Sequence, residues 1–410
     1  MKLCSIPWVG FSNDPDGKVK PCCIYKEHIV KPNGEPYYIQ VDTVKDIFHS
    51  EYMENLRKDF LSGKQPEPCS TCWKDEENGY KSKRQIYNDI YENKMYGLDY
   101  QNVPEYPEDY QLIISNACNL KCRSCTPSHS NTWQKEMVTI LQTNEDTPEF
   151  RSKYGIHTYE LAHGQPGSNS SILVKDIDNW IPNIKRLEIV GGEPFYIGKW
   201  GELWDYMIDK GYSKNIELYL STNTTIFDEK MVTKLIKNFK NVGIGLSIDG
   251  LGKTYNYLRH PGKWEVTSEN IMKYYEIYQK YKKDYKIGFS YTHTISWVNA
   301  IFVPDFHEWV NKNTPEFRIW DNIVHYPLHL TITMIPEQYK NVIKEKWSRY
   351  DFGKYQNDVN AIMNFMMSRN HTEDEIRSNY KKITFFDAVR NESIKEVLGG
   401  YYTYIKDYFE

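Results

Sequence analysis

From Leu112 onward, short runs of apolar or alternating residues recur between longer stretches whose apolar positions repeat every three to four. The short runs are LIIS from Leu112, RLEIV from Arg186, IELYLS from Ile216, VGIGLSID from Val242, IGFSYTHTI from Ile287 and FRIW from Phe317. A period of two, or a brief apolar run, predicts a strand, whereas the intervening DEKMVTKLIKNF and SENIMKYYEIYQKY carry the helical repeat. Strands alternating with helices imply parallel βα units. Six of them predict an α/β fold built on a partial (β/α)6 barrel of the TIM type, with functional groups at the C-terminal ends of the strands.

The flanks follow other patterns. NDPDG lies between two short extended runs near the start and predicts a β-hairpin. After Pro336 the periodicity turns helical, and HTEDEIRSNY sets Thr372 three residues before Glu375, the spacing of a capping box. The expected division is therefore residues 1–100, a barrel over 101–336 and a helical extension over 337–410. One connection is too long for a crossover helix alone. A helix is expected around Trp133–Leu141, and the polar TNEDTPEFRSKYGIHTYELAHGQPGSNSS that follows reads as a lid or as an irregular surface loop.

Composition narrows the function. The 410 residues carry a formal charge of -4, which argues against nucleic acid as a partner. KYYEIYQKYKKDYK from Lys273 mixes basic and aromatic residues, but at helical spacing it reads as a solvated helix face. The first residues lack a basic stretch followed by an apolar core, and no apolar run approaches the ~20 residues of a bilayer span. No membrane association is expected, and a cytoplasmic setting follows, where thiols stay reduced. Eight cysteines there point to metal binding or redox chemistry rather than to disulfides.

Three of those thiols crowd ISNACNLKCRSCTPSHS, where Cys118, Cys122 and Cys125 directly follow the first barrel strand. Thiolates bind zinc or iron–sulfur clusters. Zinc prefers four ligands, and His129 is the one nearby candidate for the fourth. A [4Fe-4S] cluster on three cysteines would instead leave one iron open to a small chelating ligand. Two glycines, Gly191 and Gly192, open the GGEP sequence after the second strand, where a backbone without Cβ atoms can approach a ligand closely.

C-x3-C-x2-C after the first strand, GGEP after the second, YLSTNTT at the third and LSIDG at the fourth together resemble the radical S-adenosylmethionine (SAM) superfamily. The resemblance spans roughly residues 109–336. It implies that Cys118, Cys122 and Cys125 hold a [4Fe-4S] cluster whose open iron binds the amino and carboxylate groups of SAM. Reductive cleavage of SAM would then give methionine and a 5′-deoxyadenosyl radical that abstracts hydrogen from a substrate. It further implies that Gly191, Gly192, Glu193 and Pro194 bind SAM, with Gly192 and Glu193 at its amino group, and that Ser221, Asn223 and Ser247 serve its ribose and carboxylate. Arg259 matches an arginine that pairs with the carboxylate. Relatives usually carry an aromatic residue just before the third cysteine, where this chain has Ser124.

Cys4, Gly17 and Cys22 stand in a C-x12-G-x4-C pattern, and Cys69 and Cys72 add C-x2-C. By spacing alone a structural zinc site fits equally well. The pattern also resembles the twitch half-domain related to SPASM, here preceding the barrel instead of following it. That resemblance implies a second, auxiliary [4Fe-4S] cluster on Cys4, Cys22, Cys69 and Cys72, with Cys23 the spare thiol.

The expected function is radical hydrogen abstraction from a peptide or protein side chain, with a small carbohydrate or nucleotide as the alternative substrate. A flavodoxin or ferredoxin would supply electrons. Tyr291, His293 and Asp249, near later strand ends, are candidates to face the substrate. A reading of a different class, a non-catalytic metal-binding interaction protein, predicts no SAM cleavage under reduction.

Overall fold

The computed structural model describes residues 3–77, 79, 81–95, 102–144, 146–154 and 176–409. Residues 145 and 155–171 of the expected lid or loop lie outside them. Among the described residues eight strands occur: β1 (Gly10–Asn13), β2 (Val19–Lys20), β3 (Asp109–Leu112), β4 (Arg186–Ile189), β5 (Glu217–Thr222), β6 (Asn241–Ser247), β7 (Ile287–Ile295) and β8 (Arg318–Ile323). The chain forms two compact units, and the division cuts β5 after Leu220 and β6 after Gly243.

The first unit comprises Met1–Ala117, Gln165–Leu220 and Lys230–Gly243. Its strand order is β2-β1-β3-β4-β5, continuing into the first residues of β6. β3, β4 and β5 pair in parallel, with Leu112 opposite Ile189 and Ile189 opposite Leu220. Alternate residues of β4 and β5 are buried, as one packed sheet face requires. The aromatic core stacks Tyr110 on Trp180 at 4.8 Å and Trp200 on Trp204 at 6.3 Å.

Hairpin β1–β2 forms across NDPDG as expected, with Ser12 opposite Lys20. Gly17 takes the left-handed turn position at φ 90°. The hairpin does not stand apart, however. β1 pairs in parallel with β3, Gly10 opposite Asp109, so the N-terminal segment extends the sheet. Helix Glu51–Leu61 begins at the Ser50 cap and buries Met53, Leu56, Arg57 and Phe60 at helical spacing. The Arg57 guanidinium donates to the Pro7 and Phe48 carbonyls at 2.9 and 2.7 Å.

The second unit comprises Cys118–Gly164, Ser221–Glu229 and Ile244–Glu410. It holds the remainder of β6 followed by β7 and β8. β7 and β8 are parallel, in register from Ser290 opposite Arg318 to Ile295 opposite Ile323. Helix Trp264–Tyr281 buries Ile271, Tyr274, Ile277 and Tyr281, while Lys273 and Lys280 point to solvent. That is the solvated-face reading of the basic and aromatic stretch. Beyond Pro336 come helices Glu337–Ser348, Gln356–Met367 and Glu373–Arg390, and the capping box at Thr372 and Glu375 is formed. No helix among the described residues is long and apolar enough to cross a membrane.

Five of the six expected barrel strands lie where the pattern puts them. The first is displaced: β3 ends at Leu112, and Ile113–Ser115 are not strand. The Asn13 side chain explains this. Its Oδ1 accepts from the Ile113 N–H at 3.2 Å, and its Nδ2 donates to the Ile113 carbonyl at 2.7 Å. A side-chain amide thereby satisfies both backbone groups, and the chain turns out of the ladder toward the three-cysteine loop.

Candidate metal centres

The three-cysteine loop is built from backbone contacts within the second unit. The Cys118 N–H donates to Asn131 Oδ1 at 3.0 Å, and Thr132 Oγ1 donates to the Cys118 carbonyl. The indole of Trp133 donates to the Cys122 carbonyl at 2.8 Å. The Lys121 and Arg123 N–H groups donate to the His260 and Leu258 carbonyls, each at 2.8 Å. Arg123, between the second and third cysteines, is buried on Asp387 and Glu392 at 2.6 and 2.7 Å, with Tyr257 beneath it at 3.7 Å. The thiols are therefore presented by a preorganised loop.

Burial pushes the Cys122 and Cys125 thiols up, Cys125 further because Cys122 and Cys118 add like charge. Three thiolates here are costly until a cation offsets them, which suits an iron–sulfur cluster. Arg259 is the charge that most opposes the rise at Cys122. Its guanidinium is already paired with Asp249, at 2.9 and 3.1 Å, and Asp249 also accepts from the Thr294 N–H at 3.1 Å. Asp249 is thus committed to placing Arg259. His129 has its Nδ1 engaged by Thr126 and Ser128 Oγ, each at 3.1 Å.

Asn223 lies just beyond β5. Its Nδ2 donates to Asn119 Oδ1 at 2.8 Å and stands 3.8 Å from Cys118 Sγ, and its Oδ1 accepts from Thr225 Oγ1 at 2.6 Å. Ser221 and Ser247 are half-buried in β5 and β6. Spacing alone did not single out Asn119, Asn131, Arg123 or Thr225, because their partners are distant in sequence or backbone groups.

GGEP belongs to the first unit. Gly191 and Gly192 have φ of 79° and 58°. A Cβ on Gly192 would meet the Ala117 carbonyl at 2.6 Å, and the Glu193 N–H donates to that carbonyl at 2.9 Å. Glu193 is fully buried, and its Oε1 accepts from the Phe195 N–H at 3.2 Å. The turn therefore rests on the residues that run directly into Cys118 in the chain, and only glycine fits there.

Cys4, Cys22, Cys69 and Cys72 line one cavity in the first unit, together with Ile6, Phe60 and Arg84. Cys23 is exposed, and its sulfur accepts from Lys83 Nζ at 3.1 Å. Burial raises all four lining thiols, Cys22 to about 12 with Cys23 adding to the rise. Arg84 braces the wall, donating to Glu76 at 2.9 and 2.7 Å and to the Leu3 carbonyl at 2.7 Å. Among the described residues no three or more Cys, His, Asp or Glu side chains converge as ligands of a single ion. Four sulfurs around one zinc would stand about 4 Å apart at ~2.3 Å bonds. Four thiols lining one cavity can hold an iron–sulfur cluster.

Two expected substrate-facing residues are core. Tyr291 is fully buried against Phe306 and Phe317, its hydroxyl 2.8 Å from Thr314 Oγ1. His293 stacks on Phe306 at 4.2 Å with Nδ1 2.7 Å from Asp321, which also meets His307 at 2.9 Å. Burial alone would raise the Asp321 carboxyl, but hydrogen bonds from both imidazoles outweigh it and lower it to about 2. The alternation of β7 sends these side chains to the face covered by helix Val303–Asn313.

Comparison with known proteins adds two domain matches. The profile of the radical SAM superfamily matches residues 112–295, and that of the iron–sulfur cluster-binding domain SPASM matches residues 4–73. An uncharacterized protein of Methanocaldococcus jannaschii, MJ0907, is 26% identical over 196 residues, 48% of this chain and 55% of that protein. Among solved structures, anSMEcpe with bound AdoMet is 17% identical with a TM-score of 0.37, over 62% of this chain and 59% of that one. Streptococcus suis SuiB bound to S-adenosylmethionine is 13% identical with a TM-score of 0.33, over 66% and 59%. The chain thus spans little more than half the length of these relatives.

Proposed function

Because the chain belongs to the radical SAM superfamily and carries an iron–sulfur cluster-binding domain ahead of the barrel segment, we propose that it abstracts hydrogen from a peptide or protein side chain. It is a radical SAM enzyme whose cofactors are a [4Fe-4S] cluster, SAM and auxiliary iron–sulfur chemistry. When bound, the cluster and SAM supply one electron and a 5′-deoxyadenosyl radical.

The resemblance assigns the residue roles, and the local geometry is compatible with them. Cys118, Cys122 and Cys125 hold the cluster, and the hydrogen bonds from Asn131 and Trp133 set the loop before anything binds. The turn Gly191–Gly192, followed by Glu193 and Pro194, offers backbone to the SAM amino group, and Ser221, Asn223 and Ser247 serve its ribose and carboxylate. Arg259 balances thiolate charge at Cys122, and Asp249 positions it.

Cys4, Cys22, Cys69 and Cys72 close an auxiliary cluster with four protein ligands. Such a cluster transfers electrons or shapes the substrate pocket and does not itself ligate the substrate. Residues 1–100 form the auxiliary-cluster domain, 101–336 the catalytic core and 337–410 a helical extension. The SPASM-type match supports the peptide assignment. The electron donor is a flavodoxin or ferredoxin, and a reducing cytoplasm suits eight free thiols.

The observation that carries this reading is the preorganised loop presenting three thiols. Anaerobically reconstituted protein, mixed with SAM and dithionite, is expected to release 5′-deoxyadenosine detectable by chromatography. A fully iron-loaded sample that releases none would refute the enzymatic reading and favour a metal-binding interaction protein.

A further inference from the structure

One cavity of the second unit borders the three-cysteine loop at Cys125. It spans about 480 Å3, part of it open to solvent, and is walled by Trp133, Met137, Phe386, His329, Arg390 and Cys125. Trp133 and Phe386 meet edge to face at 5.3 Å and share an apolar cluster with Met137 and Ile140.

One wall is cationic and unsatisfied. The Arg390 side chain is wholly buried, lies 4.6 Å over the Trp133 ring and donates from Nε and Nη2 to Glu136 at 3.1 and 2.7 Å. Its Nη1 has no hydrogen-bond partner among the described residues. A buried guanidinium N–H without an acceptor is unfavourable, so a ligand that supplies one is favoured.

The carboxylates around the cavity are already paired. Glu136 is shared by Arg390 and Lys121, and Asp387 and Glu392 are both taken by Arg123. Lys382 adds a cation near His329. Burial first, then Lys382 and Arg123, bring His329 down to about 3, so its ring is neutral at pH 7. Apolar walls, one unpaired charged donor and a neutral imidazole suit a carboxylate on an apolar body. A phosphate dianion would need more donors than the cavity offers.

We infer that this cavity binds a carboxylate carried on an aromatic or branched apolar group, with Arg390 as the anion's partner and Trp133, Met137 and Phe386 as the apolar wall. The carboxylate is that of a free acid or of a peptide's C-terminal residue, and the test separates the two.

Calorimetric titration of the reconstituted full chain would use 3-phenylpropionate, N-acetylglycylphenylalanine and the carboxamide of each. The acid is expected to bind at least about tenfold more tightly than its amide, the worth of a charge-assisted hydrogen bond. Preference for phenylpropionate alone assigns a free acid, and preference in both pairs assigns a peptide terminus. Arg390→Gln is expected to erase the ratio, and Met137→Trp, which fills the cavity, to weaken acid and amide alike. Equal affinity of acid and amide for the unmodified chain, no binding of either at millimolar concentration, or a ratio that survives in Arg390→Gln overturns the inference. The unmodified chain decides the matter even if a variant fails to fold. The readout involves no SAM cleavage, so it stands or falls apart from the radical reading.

Discussion

Asn13 is 2% exposed and gives Ile113 both of the hydrogen bonds that a neighbouring strand would otherwise supply. Asn13→Ala leaves two backbone groups unpaired in the interior and should cost about 1–3 kcal/mol, read from the denaturant midpoint. Asn13→Asp can still accept from Ile113 but cannot donate to its carbonyl, so it should not restore stability. Gly192→Ala faces two penalties. A left-handed φ costs a non-glycine residue about 1–2 kcal/mol, and the new Cβ meets a carbonyl at 2.6 Å. Gly201→Ala, inside helix Gly198–Asp209 with only a 3.5 Å contact to Met231, should instead gain about 0.5–1 kcal/mol. The cysteines and GGEP were legible in the sequence because their chemistry lies in residue type and short spacing. Asn13 and Arg123 were not, since their partners lie 100 residues away at Ile113 and 264 away at Asp387.

Among the elements, helix Asn131–Thr143 links secondary structure to the reactive loop. Ser130 Oγ accepts from the Trp133 N–H at 3.3 Å and donates to the Leu120 carbonyl at 2.6 Å. Thr372 caps helix Glu373–Arg390 through the Glu375 N–H at 3.2 Å. Alanine at either cap should cost about 1 kcal/mol of stability. Only Ser130→Ala should also reduce the iron retained after reconstitution, because only that cap holds the cysteine loop. Equal iron retention in the two variants would contradict this coupling. The capping box could be read from sequence because it is local. The end of β3 could not, because LIIS has strand character and a distant amide decides where pairing stops. The same limit applies in β7. Alternation identified the strand but not which face the helix Val303–Asn313 would cover, and so Tyr291 and His293 proved to be core.

At the scale of the whole molecule, the two cysteine sets should fail differently. Cys122→Ala is expected to abolish 5′-deoxyadenosine release, whereas Cys69→Ala should leave some cleavage uncoupled from substrate turnover. Equal loss in both would contradict the division of labour. Acid stability carries a separate signature. His329 is lowered from 6.5 to about 3, mainly by burial, so the unfolded chain takes up the proton first. Its contribution is whole above pH ~6.5 and falls by at most about 1.4 kcal/mol per pH unit below that, until the folded group titrates. His329→Gln should flatten that part of the profile between about pH 6.5 and 5, and an unchanged slope would count against a neutral buried imidazole. The central claim concerns coordination: a cluster on Cys118, Cys122 and Cys125 leaves one iron free for the amino-acid end of SAM. Electron paramagnetic resonance of the reduced protein, recorded before and after adding SAM, tests it most directly. The account predicts that SAM shifts the signal of one cluster and that Cys122→Ala loses the shift. A spectrum that SAM leaves unchanged in fully loaded protein would contradict it.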